Sequence, residues 1–102
     1  AFRAELDTNL ATQQQKIRAL QVELRSAKDR LKIAQKGLKR VQVLVQKRLK
    51  PESELNAEQD KTLVLKGRIA SLQSNILVAK SELAHLTSTE RKIDIITNKI
   101  KL

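Results

Sequence analysis

The chain has 102 residues, 40% of them apolar, but a single aromatic residue, Phe2, and a net charge of +10. Missing aromatic bulk argues against a compact globular core, and the Leu, Ile, Val, Ala, Lys, Glu, Gln and Arg that dominate are the residues of long helices. The absence of cysteine removes disulfides and thiolate metal sites, and no apolar run approaches the roughly 20 residues a membrane-spanning helix needs.

In the first half an apolar stripe runs through Leu6, Leu10, Ile17, Leu20, Leu24, Ala27, Leu31, Ala34, Leu38, Val41 and Val45. Steps of three and four residues keep these side chains on one seam of a slightly underwound helix, the coiled-coil pattern. The spacing predicts a first helix over about residues 2–49, with the polar stretch Thr12 to Gln15 and Gly37 as its weak points. Lys47, Arg48 and Lys50 place positive charge at the negative end of that helix.

Pro51 is the only proline. It breaks the stripe at the midpoint and suits the first turn of a new helix, where its missing N–H would be unpaired anyway. Glu52 and Glu54 follow beside the positive end of the helix dipole. The stripe resumes at Leu55 and runs through Leu65, Ile69, Leu72, Ile76, Ala79, Leu83, Leu86, Ile93 and Ile100, which predicts a turn at about 49–52 and a second helix over about 52–100. The expected fold is therefore all-α, one domain over residues 1–102, a long two-helix antiparallel coiled-coil hairpin.

A turn centred near residues 51 and 52 pairs positions whose numbers sum to about 103. That register sets Ala34 against Ile69, Ala27 against Ile76 and Leu24 against Ala79, small facing large. It also sets Gln13 against Glu90, either a polar layer that fixes register or simply a wetter open end. Gly37 and Gly67 fall near one level, as a close approach of the helices or as tolerated glycines. Val22, Ile33, Val43, Leu44, Leu63, Val64, Leu77, Val78, Ile95 and Ile96 lie off the seam. They read as contacts with further helices or as ordinary surface aliphatics.

The charge is uneven. Ten basic residues and one acid, Asp29, lie between positions 25 and 50. Such a face meets nucleic acid, an anionic membrane or an acidic protein, or is merely the solvated exterior of a coiled coil. No chemistry competes with this reading. His85 is the only histidine and lies off the seam, the carboxylates are dispersed, and a two-helix rod offers no pocket to desolvate them. No phosphate loop, nucleophile elbow or metal-spaced cluster occurs, so neither an enzyme nor a cofactor or metal site is expected.

Around the turn, Arg40-Val-Gln-Val-Leu44 followed by Leu49-Lys-Pro-Glu-Ser-Glu-Leu55 resembles the hairpin tip of periplasmic membrane fusion proteins, the adaptors of type I secretion and tripartite efflux, with the haemolysin-secretion type nearest. The family tip carries an arginine, a leucine four residues later and a serine or threonine seven beyond that. Arg40 and Leu44 match; the third position is Pro51, with Ser53 the nearest hydroxyl.

The resemblance implies a hairpin inserted in a lipoyl-like β domain, within a protein of a Gram-negative bacterium that is anchored in the inner membrane and projects across the periplasm. The start at Ala1, with neither Met nor signal peptide, fits the expectation of an excised piece. The implied role is to bridge an inner-membrane transporter to an outer-membrane channel-tunnel protein. The tip contacts on the channel would be Arg40, Leu44, Arg48, Pro51 and Ser53. The family assembles as hexamers; this segment alone would be a monomer or weak dimer. Two alternatives stand beside it: a generic dimerisation or spacer coiled coil, and a basic arm that binds RNA, as seryl-tRNA synthetases carry. The basic span lacks any aromatic for base stacking, so no nucleic-acid partner is expected.

Overall fold

Two helices, α1 (Phe2–Gln46) and α2 (Glu52–Lys101), are joined by residues 47–51 in a computed structural model that describes residues 2–101. The protein is all-α, an antiparallel helical hairpin with no strand among the described residues. The stripe is its seam. Leu6, Ile17, Ala27, Ala34, Val41, Leu72, Ile76 and Ala79 are buried. Every other stripe residue is half-buried except Ile100, which is exposed. A seam between only two helices covers side chains from one side, which is why so few reach full burial. The off-seam aliphatics are exposed, apart from half-buried Leu44.

Contacts divide the hairpin into two units, Val22–Gln73 around the turn and Ala1–Gln21 with Ser74–Leu102 at the open end. In the first, Ala34 shares a groove with Lys61, Val64 and Leu65, and Ala27 lines space with Leu65 and Arg68. Arg68 donates to Glu23 at 2.9 Å, and a side chain on Gly37 would meet the carboxylate of Glu58. In the second, Gln13 donates to the Ala79 carbonyl at 2.9 Å and to Glu82 at 2.8 Å.

These pairings place facing positions at sums of about 95 (13 with 82, 37 with 58) rather than 103. The expected pair of Ala34 with Ile69 and the polar layer of Gln13 with Glu90 are therefore corrected, as are the other small–large layers. The displacement is about one heptad. A seven-residue repeat faces its partner equally well after a shift of seven, so the stripe survives while every individual pair changes.

Following three- and four-residue steps from Leu55 to Leu65 leads through Glu58 and Thr62, polar residues that hold seam positions. Thr62 is 5% exposed, and its hydroxyl donates to the Glu58 carbonyl at 2.9 Å, so the burial leaves no donor unpaired. In the shifted register Thr62 shares the layer of Ala34, small against small. Gly37 is half-buried, and an added Cβ would sit 3.5 Å from the Glu58 carboxylate, an ordinary contact; at Gly67 nothing lies within 4 Å. Neither glycine serves a close approach of the helices.

At the open end Arg3 gathers carboxylates from both helices: Asp94, Glu90 at 3.2 Å and Asp7 at 3.8 Å. The hydrogen bond to Asp94, then the charges of these acids, raises the guanidinium above its ordinary value. A folded value above the unfolded one stabilises fully below the unfolded value and is lost only as pH rises through the folded one, deep in the alkaline range.

Candidate functional site

The closed end is built by how α1 stops. Lys47 N–H still bonds the Val43 carbonyl at 3.0 Å in helical fashion. Arg48 then takes φ 61°, the left-handed region. Its N–H reaches Val45 at 2.9 Å, and the Leu49 N–H reaches back five residues to Leu44 at 2.8 Å. Together these bonds satisfy carbonyls that a helix end leaves open, in the cap geometry that glycine normally occupies. A non-glycine residue there costs about 1–2 kcal/mol.

This cap corrects the helix boundary. α1 ends at Gln46, three residues before the expected Leu49, because the left-handed residue turns the chain away. Lys47, Arg48 and Lys50 consequently lie in the turn rather than in the last turn of α1, which holds no basic residue. Pro51 sits just before α2 rather than inside it; its carbonyl accepts the Glu54 N–H at 3.1 Å and so starts the helix. Glu52 and Glu54 occupy the first turn as expected, and Glu54 also takes Lys50 at 3.1 Å across the junction.

The five tip residues are accordingly distributed over helix, cap and turn. Arg40 is exposed on α1 one helical turn before Leu44. Leu44 is half-buried and holds the cap through its carbonyl. Arg48, Pro51 and Ser53 are exposed, Arg48 in the turn and Ser53 in the first turn of α2. Arg48 and Pro51 share a shallow open concavity of about 550 Å³ with Val45, Leu49 and Lys50; Arg40, Leu44 and Ser53 do not line it.

Leu49 stands at the expected boundary of the first helix and the turn, within the tip motif but not among its five contact residues, and it is 68% exposed beside Arg48. An exposed leucine in a cationic turn is a natural contact group. The only available signal was the Leu-Lys-Pro order, because the cap position holds arginine where glycine would have announced it.

The basic character of this end is solvent-facing. Arg25, Lys28, Lys32, Lys36, Lys39, Arg40 and Lys47 are exposed, and none of them forms an ion pair among the described residues. No cluster of three or more metal-ligating side chains occurs among them either, and no described helix is long and apolar enough to cross a membrane. His85 is exposed on α2. Compared with protein-family models, curated proteins and solved structures, the chain matches none.

Proposed function

We propose that this hairpin belongs to a periplasmic adaptor and that its closed end docks on an outer-membrane channel-tunnel protein, while the rest of the parent chain engages an inner-membrane transporter for secretion or efflux. The observation that supports this reading most is the cap at Arg48. A cation is held in a left-handed conformation, with leucine exposed next to it, at the one place where the chain must reverse. Residues kept in costly conformations cluster where binding or switching uses them. In this role the Arg40 and Arg48 guanidinium groups fork onto carboxylate or carbonyl acceptors, and Leu49 with the edge of Leu44 supplies an apolar anchor. Ser53 offers the hydroxyl that Pro51 lacks.

A photo-crosslinking amino acid introduced at Arg40 or Leu49 in the parent protein, expressed in a Gram-negative cell, tests this. Adducts with the channel-tunnel protein are expected from these positions and not from an open-end position such as Thr8. Adducts absent from the tip, or equally frequent from Thr8, refute the docking role. A purified hairpin that shifts RNA tightly and salt-sensitively replaces it with the RNA-binding arm.

A further inference from the structure

Away from the tip, one side of Val22–Gln73 carries a continuous groove between α1 and α2. Two stretches compose it, of about 430 and 350 Å³, and they share Arg30 and Leu65. Its floor is made of small or half-buried groups, Ala27, Ala34 and Leu65, and its walls carry exposed aliphatics. Ile33 is 69% exposed and Val64 72%. From Val22 to Ala34 the groove follows α1 for about 18 Å, more than three helical turns. Small side chains on the floor let another helix approach closely, and the walls offer it apolar contacts at helical spacing.

The charged groups choose among occupants. Those lining the groove are Arg30, Lys61, Arg68 and Glu23. Arg68 and Glu23 pair with each other, which leaves Arg30 and Lys61 as exposed cations without an ion pair among the described residues. The surrounding unit carries 13 Lys/Arg against six Asp/Glu, a net +7. A second copy brings the same excess to the contact, and like charges across an interface are costly. We propose that this groove binds an acidic amphipathic α-helix of a partner protein, with its apolar stripe on Ile33 and Val64 and its carboxylates on Arg30 and Lys61. The recognition mode is a helix laid in a groove, with charge setting the choice of partner.

The test uses the whole chain and two fluorescently labelled helical peptides of about three to four turns, identical in leucine stripe but flanked by Glu in one and Lys in the other. Anisotropy titrations should show binding of the Glu peptide only, weakened at about 0.5 M salt. Arg30→Glu with Lys61→Glu should weaken the Glu peptide about tenfold or more and admit the Lys peptide. Val64→Asn, an uncharged polar change at an exposed position, should leave the helical spectrum unchanged and abolish binding of the Glu peptide. Glu-peptide binding that is indifferent to Val64→Asn means mere charge attraction and overturns the proposal. So does sedimentation of the unliganded chain as a dimer that Val64→Asn dissolves, which would make a second copy the occupant.

Discussion

Replacing Arg48 with glycine tests the account of the turn most directly. Arg48 sits at φ 61°, and its N–H and that of Leu49 close the cap on Val45 and Leu44. Removing the Cβ relieves a cost of about 1–2 kcal/mol. Against this, glycine adds freedom to the unfolded chain worth about 0.5–1 kcal/mol. A cation near a helix C-terminus is also lost, worth about 0.3 kcal/mol at an exposed position. The net expectation is stabilisation of about 0.5 kcal/mol, or a rise in Tm of about 2–4 °C for a chain of this size. Thermal and urea unfolding followed by circular dichroism read it. Arg48→Ala is the control, since it removes the same charge but keeps the Cβ; it should be slightly destabilising. Arg48→Val, β-branched, should fall further. If glycine is no more stable than alanine, conformational relief is not what the position offers, and the argument from the cap fails. The docking role adds a second expectation: the glycine variant, though more stable, should yield fewer adducts with the channel protein.

Other perturbations probe the seam. Leu72→Ala removes the most deeply buried leucine, 2% exposed, and should destabilise by about 2–3 kcal/mol in chemical unfolding, the low end for a core leucine because the two-helix seam can partly collapse. Gly67→Ala meets nothing within 4 Å and should stabilise by about 1 kcal/mol, seen as a higher midpoint in the same assay; a loss would mean the helix needs glycine there. Cysteines at 34 and 62 should oxidise to an intrachain disulfide, whereas cysteines at 34 and 69 should remain free, because one heptad along a helix is about 10 Å. Glu23→Gln breaks an exposed ion pair with Arg68 and should change stability by no more than about 0.5 kcal/mol at physiological salt.

The position of the turn was legible in the sequence. Arg40, Leu44, Arg48, Pro51 and Ser53 were chosen from the turn region, and they do lie on its flanks and in its loop. Leu49 was not, because its exposure depends on where α1 ends. That end is set by a left-handed arginine, and arginine carries no preference for such a conformation that could be read in advance. Glu58 and Thr62 were missed for a different reason. They hold seam positions by spacing while their chemistry says surface, and Thr62 is buried only because its hydroxyl finds the Glu58 carbonyl.

The sequence by itself determined that there are two helices, that they turn near Pro51, and which apolar residues of each line the seam. Those conclusions rest on local propensity and on a three- and four-residue period, both properties of single helices. It could not determine which residue meets which. A heptad stripe is unchanged by a shift of seven, so registers summing to about 95 and to 103 bury the same seam and differ only in their pairs. The tertiary structure decided between them at the turn. The cap at Arg48 ends α1 at Gln46, and Pro51 starts α2 at Glu52. Five connecting residues then fix where the two stripes first meet, and every layer beyond follows from that one contact.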